Sequence, residues 1–388
     1  ADRVRPFTRS QEFNFLVWTA DALQVKLAQG SLAADTYLTG AEQQDSVREY
    51  LRLVDEIAGV QRELEAVYAH PEFQEPSDAA IQLGARRDQL LQEQRELQPL
   101  VERILERQAG TVLRDLGLGI GNRFPPVSFH FTKPPLALIV SPRSVIQQDA
   151  NISLQADLEL EQIVQIEAQV EAALGVSALV VRIGGIGIYP TMIQESTSLP
   201  WITEVIVHEW IHNYLFFRPL GIRYDENPAL RTMNETAASL MGKWIGGLIL
   251  ERFYPDLAPP PQVTTQEPAP PVNPPEPAPF DFRAEMRTTR VQVDALLAQG
   301  RIEEAEVYME ERRELFWENG YAIRRLNQAY FAFHGAYGDQ PGGAAGEDPV
   351  GAAVRDLWFK LDEPVVFLET MARLDSFEAL LAVLADLP

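Results

Sequence analysis

The chain has 388 residues, 46% of them hydrophobic, and carries 33 Lys and Arg against 56 Asp and Glu, a net charge of −23. That apolar content can fill a sizeable core and excludes wholesale disorder, and the length suggests about two or three domains, or one large domain with additions. With no cysteine, disulfide scaffolds, thiol nucleophiles, iron–sulfur clusters and cysteine-ligated zinc are excluded.

The acidic excess is spread along the chain. Residues 1–130 carry 14 basic and 20 acidic groups, and residues 281–388 carry 11 and 20. No basic patch offers a nucleic-acid footprint. Residues 10–30 read as a helix, with Phe13, Leu16, Val17, Ala20, Leu23 and Leu27 near helical spacing. A long helical pair follows. Val47, Leu51, Val54, Ile57, Val60, Leu64 and Val67 recur at helical steps, and the chain turns at His70-Pro71-Glu72. A second run from Asp78 to about Leu116 carries Ile81, Leu90, Leu97, Leu100, Val101, Ile104 and Leu105. This predicts an antiparallel hairpin resembling a short coiled coil, a packing or spacer arm.

Past Gly117–Gly121, strands are predicted at Val127–Phe131 and Leu136–Ser141, then a helix from about Leu158 to Leu174. Ala178–Ile183 is a β-branched run ended by Gly184-Gly185, and Tyr189–Glu195 reads as a further strand limited by Pro190. The longest apolar stretch, Val176–Ile193, contains Arg182, glycines and Pro190, so no membrane span is expected. The start at Ala1 rather than Met, with the absence of cysteine, carries the expectation of an extracytoplasmic or secreted protein whose N-terminal signal or anchor has been removed.

The next helix begins near Ser198-Leu199-Pro200, with Ser198 as cap. Pro228 opens another, running to about Phe253. Pro255–Pro279 is too proline-dense for helix or central strand and reads as an extended, solvated insertion, with binding of an SH3-like partner as the lesser alternative. Val291–Gln299 and Ile302–Asn319, joined at Gly300, look like one tetratricopeptide unit without a second copy. A helix from about Tyr321 to Phe333, a glycine-rich loop at Gly335–Gly346 and two or three short helices complete the chain. The expected class is α+β and predominantly helical. It divides into an N-terminal helical region with the hairpin (1–121), a metal-binding core with a small β-sheet (122–254), a Pro-rich linker (255–280) and a C-terminal helical subdomain (281–388).

Of five histidines, two fall in Glu204-Val-Ile-Val-His208-Glu209-Trp-Ile-His212. A helix advances about 100° per residue, so His208 and His212 share one face a turn apart and can grip one Zn²⁺ together. Glu209 can lie beside an open coordination position and take a proton from an activated water. Val205, Ile206, Val207, Trp210, Ile211, Tyr214, Leu215 and Phe216 make this helix apolar nearly all round, hence buried, and one metal would satisfy all three polar groups. The third ligand is assigned to Glu235 in Met233-Asn234-Glu235-Thr236-Ala237-Ala238, because the small Ala237, Ala238 and Gly242 let a second helix approach closely. Asp225 and Glu226 are rivals in a loop.

His-Glu-x-x-His on one helix with Asn-Glu-x-x-Ala on the next resembles the gluzincin zinc metallopeptidases, over about residues 176–253. The resemblance implies a zincin-like core, His208, His212 and Glu235 as zinc ligands, Glu209 as general base and a peptide or protein substrate. It also implies a rim strand that pairs with extended peptide, for which Tyr189–Glu195 is positioned. The aminopeptidase signature Gly-x-Met-Glu-Asn is absent, and Ser239 stands where thermolysin-like members carry Asp. For the electrophile that meets the oxyanion, His334 and Tyr337 are the candidates. His70 and His130 read as structural. The competing functional expectation is a non-catalytic helical interaction protein that retains a metal site.

Overall fold

The computed structural model describes residues 2–32, 34–68, 78–119, 124–258, 280–340 and 342–387, the side chains of 27–35 excepted. The expected turn at His70 and nearly all of the Pro-rich segment lie outside these residues. The described chain is predominantly helical with two small sheets, as the sequence predicts.

A single turn, α1 (Arg5–Thr8), leads to α2 (Phe15–Leu32) and then to the hairpin of α3 (Gly40–Tyr68) and α4 (Asp78–Asp115). Its inner end is enclosed, with Val47 and Tyr50 meeting Val101, Ile104 and Leu105 in the main core. Next come β1 (Phe129–Phe131), β2 (Leu136–Pro142), β3 (Ala150–Leu154), α5 (Leu160–Leu174), β4 (Val176–Val181), β5 (Gly185–Ile186) and β6 (Thr191–Ile193). One sheet runs β3-β2-β4, antiparallel throughout, with α5 packed against it. The other runs β1-β6-β5, with β6 parallel to β1 and antiparallel to β5. The sequence reading contains no strand at Ala150–Leu154. Its buried positions do alternate, but the exposed Asn151 and half-buried Ser153 between them are polar residues that also suit turns.

Carboxylates from helices stand in for missing strands at two edges. The amides of Phe131 and Phe129 donate to Glu102 Oε1 (2.8 Å) and Glu106 Oε1 (2.9 Å) on α4, and Gln98 Nε2 donates to the Phe131 carbonyl (2.9 Å). Lys26 Nζ (2.7 Å) and His130 Nδ1 (2.8 Å) pair with Glu102. Burial works to raise the Glu102 pKa, but His130 and Lys26 outweigh it and hold it at about 2. His130 is thus a structural partner. On the other sheet, Val180 N donates to Glu167 Oε1 (2.7 Å) and Ala178 N to Glu171 Oε1 (3.1 Å).

The site helices are α6 (Leu199–Leu215), capped by Ser198, and α8 (Pro228–Phe253), capped by Asn227, with the short α7 (Pro219–Ile222) between them. Then come α9 (Phe282–Ala298), α10 (Ile302–Glu318) and α11 (Gln328–His334). Two boundaries differ from expectation. Helix α9 starts earlier, where Asp281 accepts from the amides of Arg283 and Ala284. Helix α11 does not begin near Tyr321, because Arg324 and Arg325 reach Glu167 and Glu171, and Asn327 then caps the shorter helix. Three C-terminal helices close the chain: α12 (Pro349–Lys360), α13 (Pro364–Arg373) and α14 (Phe377–Asp386). One hydrophobic cluster runs from Val47 through Ile206, Met241 and Leu357 to Leu380, so segments 1–121, 122–254 and 281–388 share it. Among the described residues, no helix is long and apolar enough to cross a membrane.

Helices α6 and α8 meet along a seam of small residues. A Cβ on Gly242 would lie 3.0 Å from the Glu204 carbonyl oxygen and 3.3 Å from His208 Cβ, and one on Gly246 would lie 3.0 Å from the Glu204 amide nitrogen. Neighbouring Gly247 meets nothing within 4 Å. The two glycines should respond with opposite signs. Gly247→Ala gains helix propensity and should stabilise by about 0.5–1 kcal/mol. Gly246→Ala forces a methyl group against the Glu204 backbone and should cost about 1–3 kcal/mol, both read from urea denaturation midpoints.

Candidate metal centre

The close crossing of α6 and α8 brings three ligand atoms together. His208 Nε2 and His212 Nε2 are 3.1 Å apart, and Glu235 Oε2 lies 3.4 Å from the first and 3.6 Å from the second. The remaining donors of each side chain are committed elsewhere. His212 Nδ1 lies 2.9 Å from Asn234 Oδ1, and Asn234 Nδ2 donates to the Leu220 carbonyl (3.3 Å). That second bond orients the amide, so Oδ1 accepts the Nδ1 proton, and in the neutral ring Nε2 keeps its lone pair. His208 Nδ1 faces Ser239 Oγ at 3.5 Å, a looser contact. The Tyr224 hydroxyl donates to Glu235 Oε1.

Glu235 Oε2 is buried and has no hydrogen-bond partner. A buried, unsatisfied carboxylate oxygen is costly, and it faces the Nε2 atoms of both histidines. His208, His212 and Glu235 are therefore a group that could hold a metal ion. The electrostatics demand positive charge. Burial works against a charged His212, but Glu235 outweighs it and lifts the His212 pKa to about 9. Burial also works to raise Glu235, yet the two histidines hold it well below the ordinary carboxylate range.

Glu209 is 7% exposed, lines the same cleft, and makes no side-chain hydrogen bond among the described residues. Burial raises its pKa, Glu235 adds to this, and the two histidines oppose it. Gly185 and Gly187, in the segment above it, leave no room for a side chain. A Cβ on Gly185 would lie 2.9 Å from Glu209 Oε1, and one on Gly187 would lie 2.9 Å from His212 Cβ. The cleft, of about 660 Å³, runs between this segment and α8.

The rim differs from the sequence expectation. Tyr189–Glu195 supplies β6, whose two edges are taken by β1 and β5, so it has no hydrogen bonds to offer a substrate. The strand at the cleft is β5. Gln194 N donates to the Gly184 carbonyl, which by antiparallel alternation turns the N–H and C=O of Gly185 away from β6.

Tyr337 reaches the site, its ring 6.2 Å from that of His208. It is 37% exposed and lines the cleft. Burial, then the charges of Glu235 and Glu209, raise its pKa well above a normal phenol, so it remains an O–H donor. His334 does not join it. It packs between Tyr330 (4.3 Å between rings) and Phe333 (5.0 Å), outside the cleft lining, and burial lowers its pKa to about 4. Asp225 lines the cleft but is exposed and outside the ligand group, and Glu226 pairs with Arg223 at 3.4 Å. Sequence reasoning missed Tyr224, Asn234 as a partner of His212, and Arg231. Of these, only Asn234 carried a signal, as the residue beside Glu235.

No protein-family model matches the chain, and no curated protein or solved structure matches it.

Because Asn234 fixes the His212 tautomer, Asn234→Ala should lower metal affinity by about 10–100-fold, while Ser239→Ala should lower it less. Competition against a chromophoric chelator measures both. Unchanged affinity in Asn234→Ala would remove the tautomer argument.

Proposed function

We propose that the chain is a zinc-dependent peptidase of gluzincin-like organisation. The observation that carries this reading is a buried, unbonded Glu209 carboxylate beside a His-His-Glu triangle whose Glu235 Oε2 lacks a partner. Two imidazoles and one carboxylate are a catalytic zinc set rather than a calcium or magnesium one, which take oxygen ligands. Tetrahedral zinc with bonds of about 2.0–2.1 Å separates its ligand atoms by roughly 3.3 Å, and the triangle edges of 3.1–3.6 Å bracket that value. A purely structural zinc site is closed by four ligands and has no use for Glu209.

Bound zinc supplies Lewis acidity toward the scissile carbonyl and makes a water proton easier to remove. The protein does the rest. Glu209, its basicity raised by burial, accepts that proton and returns it to the leaving amine. Tyr337 donates its hydroxyl proton toward the oxygen that gains charge. Tyr224 holds Glu235 Oε1, so that Oε2 alone faces the histidines. An extended substrate lies along β5, where the Gly185 N–H and C=O pair with its backbone.

Glu209→Gln should keep about one zinc per chain and lose 10²–10⁴-fold in turnover, roughly the worth of general base catalysis. Mass spectrometry of cleaved peptide libraries, with and without chelator, reads this. Full activity in Glu209→Gln, or cleavage indifferent to chelator, defeats the proposal. The two C-terminal candidates separate in the same assay. Tyr337→Phe should lower kcat by about 10²-fold, and His334→Ala should leave it near the unmutated value.

A further inference from the structure

The cleft is also lined by a cation, Arg231, that the hydrolytic chemistry does not use. Arg231 precedes Glu235 by one turn of α8, so both emerge on one face. It lines the cleft and is only 8% exposed. Nη2 donates to the Ala332 carbonyl at 2.7 Å, its only side-chain hydrogen bond among the described residues. None of its nitrogens is both buried and unbonded, so the donors not given to Ala332 open on the cleft. No Asp or Glu of the described residues comes within the 4.0 Å of an ion pair.

Among the described residues, Arg231 is the one buried arginine. Two half-buried arginines meet carboxylates: Arg290 pairs with Asp294 at 2.7 Å, and Arg312 pairs with Glu285. A guanidinium is a permanent cation whose planar fork of N–H donors matches a carboxylate. Burying one without a counter-ion is costly, and that cost is recovered when a partner arrives. The Ala332 bond satisfies one donor and neutralises no charge.

We propose that Arg231 forms a carboxylate-binding subsite, which receives a carboxylate of the peptide substrate beside the metal centre. The inference rests on the peptidase reading for its substrate class. One helical turn is about 5.4 Å along α8, and an extended residue spans up to about 3.6 Å. A carboxylate one or two residues from the scissile bond therefore matches the offset between Arg231 and Glu235. The α-carboxylate at a peptide's C-terminus and the side chain of Asp or Glu both present this group.

The test is calorimetric binding to the zinc-loaded full chain and, again, after chelator treatment. Three probes are used: acetyl-trialanine with a free carboxylate, its C-terminal amide, and the amide with one alanine replaced by glutamate. At least one carboxylate probe should bind about tenfold or more tighter than the neutral amide, and the better of the two names the source. In Arg231→Gln that ratio should fall close to one with zinc stoichiometry unchanged. Arg231→Lys, which keeps the charge and loses the fork, should give an intermediate ratio and serves if the glutamine variant does not fold. Equal binding of all three probes, or a preference that survives Arg231→Gln, overturns the proposal. Because the chelator-treated chain reads binding without turnover, the two readings fail separately. Arg231-dependent binding without any cleavage sinks the peptidase and leaves the subsite. Chelator-sensitive cleavage without carboxylate preference does the reverse.

Discussion

The contact between α6 and α8 is the constraint on which the site depends. Two candidate metal ligands come from one helix and the third from the other, and their side-chain atoms converge to 3.1–3.6 Å. Helices bearing ordinary side chains at the crossing stay about 8–10 Å apart at their axes. Gly242 and Gly246 remove the atoms that would hold α8 off Glu204 and His208, and the fully buried Ala237 and Ala238 continue the small surface. The same geometry sets Asn234 against His212 and lets the α7 carbonyl of Leu220 orient it. A methyl group at the seam therefore acts on metal affinity as well as on stability.

The remote hairpin contributes through a chain of hydrogen bonds rather than by contact with the cleft. Glu102 and Glu106 of α4 hold the outer edge of β1, β1 holds β6, and β6 holds β5, whose glycines lie over Glu209. Asn213 of α6 closes the loop by donating to Thr191 of β6 at 3.3 Å. Ladders this short are weak by themselves. Fixing their edge with buried, charge-balanced carboxylates replaces the strand that a larger sheet would supply.

The part of the site that follows a period was legible in the sequence. His208 and His212 are one turn apart on a helix apolar all round, and Glu235 sits among alanines and glycines that mark a close crossing. The hairpin was legible for the same reason. What escaped depends on contacts between segments far apart in sequence. Tyr224 lies in a loop without spacing to betray it, and Arg231 looks like any helix arginine until its missing partner is noticed. Tyr189–Glu195 carries good strand residues, yet periodicity does not reveal that both its edges are paired. His334 and Tyr337 sit within one turn of each other, and only packing separates them: Tyr330 and Phe333 enclose the histidine, while the tyrosine reaches the cleft.

The charge of −23 and the cation at Arg231 act over different ranges. At physiological salt, exposed charges are screened beyond about 8 Å, so the acidic surface weakly opposes the approach of acidic peptides and has little influence inside the cleft. Within the cleft, the two buried carboxylates, Glu209 and Glu235, draw positive charge to the histidines, and zinc would meet that demand. Arg231 stands outside this balance, without a carboxylate of its own. With the proposed subsite, the surface would govern encounter, and the buried guanidinium would discriminate among peptides already inside. That division would place selectivity in bound affinity and dissociation rather than in the rate of arrival.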